Sequence, residues 1–279
     1  MPYSASLWFL NAARRRSCRD EEHPVDVAAL NPEARRVKIE VKNLTKRFGD
    51  LLVLNRINFH VAQGEFLAIV GPTGCGKTTF LNCLSKLMPT SEGNIFISGE
   101  VADPKKHNIS FVFQEPTCLP WRTVRQNVAY GMQLKGFPAE KIQQRVDFML
   151  DLVGLTETQD LYPNQVSASM VQRITVARAF AVNPDLLLMD EPYGQLDVKL
   201  RYYLEDELVK LWQTLKSTVI FVTHNIEEAV YVAERILVLS NKPTNIKAEV
   251  KVDLPRPRSL IDPAFVAIRK QVTELIRWW

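Results

Sequence analysis

Cysteine is too sparse here for a disulfide framework, with four in 279 residues, at Cys18, Cys75, Cys83 and Cys118. Their spacing fits neither a zinc site nor a dense set of bridges, so a reducing cytosol is the expected setting. Long apolar runs are missing too. No stretch approaches the roughly 18–20 apolar residues that cross a bilayer. Nor is there a strong excess of one charge: 35 Lys and Arg stand against 31 Asp and Glu, a net +4, and the basic residues are dispersed. That balance argues against nucleic acid as a partner. With 46% of its residues hydrophobic, the chain has the composition of an ordinary globular protein of one large domain or two smaller ones.

Residues 1–36 depart from the rest. Leu7-Trp8-Phe9-Leu10 is followed by Arg14-Arg15-Arg16 and Arg19, with no acid before Asp20. The pattern resembles an organellar transit peptide or a segment that touches an anionic membrane surface, and the plainer expectation is a disordered extension. A secretory signal is excluded, because its basic cluster would precede a longer apolar run.

What is present is concentrated in Gly71-Pro72-Thr73-Gly74-Cys75-Gly76-Lys77-Thr78-Thr79, a full G-x-x-x-x-G-K-T phosphate loop. The apolar run Phe66–Val70 before it reads as a buried strand, and Phe80–Leu87 after it as a helix stopped before Pro89. Strand, loop and helix together aim backbone N–H groups and the positive helix end at one point. Glycines let the backbone wrap a phosphate, Lys77 neutralises the β/γ oxygens, and the Thr78 hydroxyl is placed to hold Mg2+. A nucleoside triphosphate is the expected ligand. Cys75 reads as a tolerated small residue of the loop rather than a redox switch.

From Val37 the chain alternates between elements. Val37, Ile39 and Val41 share one strand face, as do Ile57, Phe59 and Val61, and Asn94–Ser98 is a further strand. These predict a small antiparallel or mixed sheet beside the phosphate loop. Leu186–Asp190, Thr218–His224 and Arg235–Leu239 are continuous apolar runs, as in strands buried on both faces of a parallel sheet. Helical patterns lie between them at Lys199–Leu215 and Ile226–Ala233. The predicted fold is α/β: a doubly wound, mostly parallel sheet with its ligand site at the strand carboxyl ends. Val124–Lys135 and Ala139–Val153 read as amphipathic helices, which places a helical subdomain, about residues 115–182, between Lys77 and Asp190. Leu186–Asp190 continues into Glu191-Pro192, and two adjacent carboxylates after an apolar strand suit a metal ligand, Asp190, and a water-activating base, Glu191.

From about Val37 onward the chain resembles the ATP-binding subunit of an ATP-binding-cassette transporter, within the importer branch for nitrate, sulfonates, taurine and related small anions. The resemblance implies an ATPase domain over 37–255 and a helical tail over 256–279. It places Phe48 where an aromatic ring stacks on adenine, and Gln114, at the end of Ser110–Phe113, where a glutamine reaches the metal and the attacking water. Leu119-Pro120-Trp121 resembles the region near the transmembrane partner, Leu196-Asp197 the loop that crosses a dimer interface, and His224 the histidine at the γ-phosphate. It implies ATP and Mg2+ as cofactors. The implied partners are transmembrane permease subunits, a second ATP-binding subunit and, indirectly, an extracytoplasmic substrate-binding protein, at the cytoplasmic face of the cell membrane.

One motif departs. The family's Leu-Ser-Gly-Gly signature is replaced by Val166-Ser167-Ala168-Ser169-Met170, followed by a helix expected over Ile174–Phe180. Ser167 keeps the hydroxyl, and Ala168 and Ser169 keep their N–H groups, so Ser167 and Ser169 remain candidate nucleotide contacts. Glycine's freedom at positive φ is lost, and a residue held there would be strained by about 1–2 kcal/mol. Three readings follow: an importer ATPase; an ATP-binding subunit with a weak signature working beside a different ATPase; and a non-transport cassette protein. The last usually carries long coiled coils or a second cassette, and neither is present.

Overall fold

The structure, a computed structural model, describes residues 35–276 apart from 195 and 197. Two long strands, β1 (Val37–Phe48) and β2 (Leu51–Ala62), come first, and β3 (Phe66–Val70) runs into α1 (Lys77–Leu84). β4 (Glu92–Ile97), β5 (Glu100–Val101) and β6 (Ile109–Val112) precede three helices, α2 (Val124–Leu134), α3 (Ala139–Leu152) and α4 (Ala168–Ala181). Then follow β7 (Leu186–Asp190), α5 (Val198–Leu215), β8 (Val219–Thr223), α6 (Ile226–Val232), β9 (Arg235–Leu239), β10 (Ile246–Lys251) and α7 (Pro263–Ile276).

The strands form two sheets. One is antiparallel, in the order β2-β1-β4-β5; the other runs β10-β9-β3-β8-β7-β6 and is parallel except for β10. Strand side chains alternate between faces, so the parallel sheet feeds two separate interiors. Leu67, Ile69, Leu186, Leu188, Ile220 and Val222 point to one, shared with the antiparallel sheet and with Phe80, Leu81 and Leu84 of α1. Phe66, Ala68, Leu187, Met189, Val219 and Phe221 point to the other, roofed by the remaining helices. Every residue of β3, β7 and β8 is buried, which is why these strands read as unbroken apolar runs. Covered on one face by α1 and the antiparallel sheet and on the other by the remaining helices, the parallel sheet is the doubly wound core that the sequence predicts.

Local chemistry sets the helix starts. Thr123 accepts from the Gln126 N–H while the Gln126 side chain accepts from the Thr123 N–H, a capping box that opens α2. Two helices differ from the sequence reading by more than one residue. α1 begins at Lys77 and ends at Leu84, three residues early, where the chain turns through Lys86 at φ +61°. α4 begins at Ala168 rather than Ile174, because Ser167 caps it: its Oγ accepts from the Met170 N–H at 3.3 Å.

The N-terminal boundary also differs from expectation. Arg35 ion-pairs with Glu234 at 2.8 Å and the Arg36 carbonyl accepts from the Gln63 N–H at 2.8 Å, so these two residues belong to the domain. The proposed disordered extension otherwise falls on residues outside those described. At the other end, Arg258 donates to the carbonyls of Val230, Tyr231 and Ala233 at the end of α6, and α7 buries Phe265 and Val272. Residues 256–276 are therefore packed into the same interior. No helix among the described residues is long and apolar enough to cross a membrane.

Candidate functional site

Strand register builds the centre of the site. Val70 lies beside Thr223, and Asp190 beside Val222, so β3, β7 and β8 end together. The residues that follow, Gly71, Glu191 and His224, therefore emerge on one edge. The loop from Gly71 to Gly76 crosses that edge before α1 starts. Gly74 takes φ +76° and Gly76 φ +108°, conformations that side chains resist. A Cβ on Gly76 would also lie 2.8 Å from Val53 Cγ1, so the position excludes larger residues twice over.

Lys77, buried, folds back across the loop, and its Nζ donates to the Gly71 carbonyl at 3.1 Å and the Pro72 carbonyl at 3.2 Å. The Glu191 carboxylate lies 3.8 Å from the same Nζ. Its other oxygen is 2.8 Å from His224 Nδ1. Glu191 sits at φ +44°, a left-handed conformation that non-glycine residues hold at a cost of about 1–2 kcal/mol. Its N–H still donates to the Val222 carbonyl at 2.8 Å, so sheet pairing holds the strained residue in place. Asp190, the last residue of β7, is buried, with the Thr78 hydroxyl beside its carboxyl. Burial pushes its carboxyl above the ordinary range and nearby Glu191 adds to the rise, while Thr78 and Lys77 oppose it. A buried carboxylate beside a hydroxyl is a pair of hard oxygen donors, which suits Mg2+, and a cation there would favour the ionised form.

Around this centre, Pro72 is half-buried, Thr73 and Thr78 are exposed, and Thr79 lies in the first turn of α1. The first N–H groups of any helix lack intrahelical partners, so this turn has donors to offer. Cys75 is buried, which pushes its thiol above the usual range against the pull of Lys77. An un-ionised buried thiol is a packing residue. The three described cysteines, Cys75, Cys83 and Cys118, are all free.

Four predicted site residues lie apart from this centre. Phe48 ends β1 half-exposed, with Lys46 Nζ 5.0 Å above its ring. Gln114 is exposed, two residues beyond the end of β6, and makes no hydrogen bond with another described residue. Ser167 and Ser169 are exposed at the start of α4, with their hydroxyls 3.0 Å apart. Neither Ala168 nor Ser169 has positive φ; both begin an ordinary helix. Of the Leu196-Asp197 loop, Asp197 lies outside the described residues. Trp121 is 71% exposed, which excludes a core role for it.

Sequence reading missed a buried polar group behind His224. The Thr223 hydroxyl donates to Glu228 at 2.5 Å and accepts from the Asn225 N–H at 3.0 Å. Arg201 Nε lies 3.2 Å from Glu228 as an ion pair without hydrogen-bond alignment, and its Nη2 donates to the Leu196 carbonyl at 3.2 Å. Arg201 thus joins the loop after Glu191 to the turn that carries His224. The available signal was charge inside the apolar pattern of α5 and α6.

The ABC transporter family profile matches residues 54–194. The chain is 41% identical over 246 residues to the ABC transporter ATP-binding protein MJ0412 of Methanocaldococcus jannaschii, covering 87% of this chain and 92% of that one. It is 40% identical over 236 residues to the aliphatic sulfonates import ATP-binding protein SsuB of Bacillus licheniformis, covering 85% and 91%. Among solved structures it resembles a dimeric post-hydrolysis state of the ATP-binding cassette MJ0796 bound to ADP and Pi, with a TM-score of 0.66 and 31% identity over 78% of this chain and 100% of that one. On the strength of these matches the chain belongs to the ABC transporter family, as one of its ATP-binding and hydrolysing cassettes.

Proposed function

We propose that this cassette energises import of an aliphatic sulfonate or a related small anion, working at the cytoplasmic face of the membrane beneath transmembrane permease subunits. The observation that carries the catalytic part is the convergence of Lys77, Asp190, Glu191 and His224 on one edge of the parallel sheet. The sulfonate assignment rests on similarity to the import protein of Bacillus licheniformis. Nitrate and taurine are the other members of the same substrate range, delivered in this reading by an extracytoplasmic binding protein.

In this reading ATP lies over residues 71–79, its adenine on Phe48 and its phosphates on the N–H groups of the loop and of the first turn of α1. Lys77 turns from the Gly71 and Pro72 carbonyls to the β/γ oxygens. Thr78 and Asp190 would hold Mg2+, with Gln114 as a further candidate ligand; the ion would supply neutralisation of charge on the transferring phosphoryl group. Water attacks the γ-phosphorus, Glu191 takes its proton, and ADP leaves with the electron pair of the broken P–O bond. His224, bonded to Glu191, orients that carboxylate and reaches the γ-phosphate. Ser167 and Ser169 meet the nucleotide held by a second subunit.

We favour a second copy of this chain as that subunit, because Ala168 and Ser169 show no positive φ and the altered signature carries no backbone strain. Deleting the gene should abolish growth on ethanesulfonate as sole sulfur source, with rescue by the wild-type chain and none by Glu191→Gln. Undiminished growth of the deletion strain on ethanesulfonate, with loss on nitrate or taurine, moves the substrate within the range and overturns the sulfonate assignment.

A further inference from the structure

The segment between β9 and β10 lies directly beneath the phosphate loop. It closes on itself, with the Ser240 N–H donating to the Asn245 carbonyl at 2.9 Å and the Asn245 N–H to Ser240 Oγ at 2.9 Å. Within it Thr244 is fully buried. Its backbone is tied to β2 from both sides: the Thr244 N–H donates to the Val53 carbonyl at 2.8 Å, and the Asn55 N–H to the Thr244 carbonyl at 2.9 Å. With its backbone held, the side chain has one polar target. The hydroxyl donates to the carbonyl of Cys75, in the phosphate loop 169 residues earlier in the chain.

That carbonyl matters because a peptide unit is planar and trans. Its C=O and the following N–H point in opposite directions, so holding the Cys75 oxygen toward Thr244 aims the Gly76 N–H the other way, into the loop. Gly76, at φ +108°, has no side chain to limit its own rotation, so the orientation must come from outside. Val53 presses on the same peptide from β2, 2.8 Å from where a Gly76 Cβ would stand, and Leu239 lies 3.0 Å from where a Gly71 Cβ would stand. The loop is thus buttressed at both ends, and of these three neighbours, Val53, Leu239 and Thr244, it is Thr244 that holds it through a hydrogen bond to a loop carbonyl.

We propose that Thr244 is a positioning residue for the phosphate loop: its hydroxyl fixes the Cys75–Gly76 peptide so that the Gly76 N–H is preset to donate to nucleotide phosphate. This rests on residues 71–79 being the phosphate cradle. Thr244→Val keeps the shape and removes the donor, leaving a buried carbonyl unpaired; Thr244→Ser keeps the donor and drops a methyl group.

The test is ATP and ADP affinity of the full chain by calorimetry, at a temperature well below unfolding, for wild type, both variants and Lys77→Ala. Thr244→Val should weaken both nucleotides by about tenfold, and Thr244→Ser should stay within about twofold of wild type. Where valine prevents folding, Thr244→Ala replaces it with the same expectation. Wild-type affinity in the folded valine or alanine variant overturns the inference, as does an equal loss in the serine variant, which would make the methyl group the important part. Lys77→Ala separates the two levels: if it binds ATP normally, the cradle reading itself fails, whatever Thr244 does.

Discussion

The residues at the strand ends and the residues on the rim make an instructive contrast. Lys77, Asp190, Glu191 and His224 are linked to one another or to the loop by contacts of the chain with itself. Phe48, Gln114, Ser167 and Ser169 are exposed and share no hydrogen bond or ion pair with those four. The inner set owes its geometry to sheet register and burial, and it is complete in one chain. In the proposed function the outer set obtains its partners from another molecule: adenine for Phe48, and the opposite subunit's nucleotide for Ser167 and Ser169. Substitutions in the inner set should therefore act on every assay, and those in the outer set only when the partner is present.

Glu191→Gln should give the largest effect. The amide retains the size of the carboxylate and cannot serve as a base, so steady-state ATP turnover should fall by about 10²–10⁴-fold while ATP affinity is kept. Turnover within tenfold of wild type would remove Glu191 from the base role. The same variant sharpens the contrast between the two sets. With ATP bound and not cleaved it should accumulate as a dimer, seen as a nucleotide-dependent doubling of mass in light scattering. A dimer of equal mass without ATP would show that the exposed residues are covered by something other than a nucleotide sandwich.

Lys77→Ala comes next. It deletes a buried cation and three donors at the phosphates, so ATP affinity should fall by about 10²-fold or more, read by calorimetry. Because Nζ also bonds the Gly71 and Pro72 carbonyls, the variant should lose some thermal stability before nucleotide is added. Gln114→Ala, by contrast, should leave the nucleotide-free protein's melting temperature unchanged, since the side chain makes no hydrogen bond among the described residues.

How much of this was legible in the sequence follows the same division. The inner set was readable because its causes are local: an apolar run makes a strand, its first polar residue marks the sheet edge, and glycine spacing marks the loop. The sheet order could not be read, since parallel register is set by pairing over long separations, as between Phe66 and Val219. The network of Thr223, Glu228 and Arg201 was hidden for the same reason, being assembled from β8, α6 and α5. Helix starts were misplaced where a cap outweighed hydrophobic periodicity: Ser167 opens α4 six residues before the apolar pattern becomes clear.

A pH-dependent effect separates two carboxylates that the sequence does not distinguish. Glu191 is hydrogen-bonded, whereas Glu205 on α5 is fully buried and neither of its oxygens has a hydrogen-bond partner among the described residues. Burial, reinforced by Glu228, pushes the Glu205 carboxyl from 4.5 up to about 9. The folded state then holds a proton that the unfolded state releases. Its contribution to stability is full below pH 4.5 and is lost as pH rises toward about 9. Across that window wild type should lose about 1.4 kcal/mol per pH unit relative to Glu205→Gln, measured by urea unfolding at several pH values. Parallel pH profiles would mean that the carboxylate is already ionised or reaches water.

The altered signature gives the smallest expected change, and it tests the contrast most directly. If Ala168 and Ser169 were strained, restoring glycine at both would release about 1–2 kcal/mol per residue and raise turnover. They are instead the first two residues of a regular helix, with Ser167 as its cap and no positive φ at either position. Glycine there gains no conformational relief, and it loosens the unfolded chain and the first helical turn by about 0.5–1 kcal/mol per residue. The double variant Ala168→Gly, Ser169→Gly should therefore melt a few degrees lower and keep ATP turnover within about twofold. It also loses the Ser169 hydroxyl, which lies 3.0 Å from Ser167 Oγ, so Ala168→Gly alone is the cleaner arm. A rise in turnover above tenfold in either variant would show that side-chain bulk at the rim, and not backbone geometry, obstructs the opposite subunit's nucleotide. The rim would then be limiting even though nothing in the isolated chain strains it.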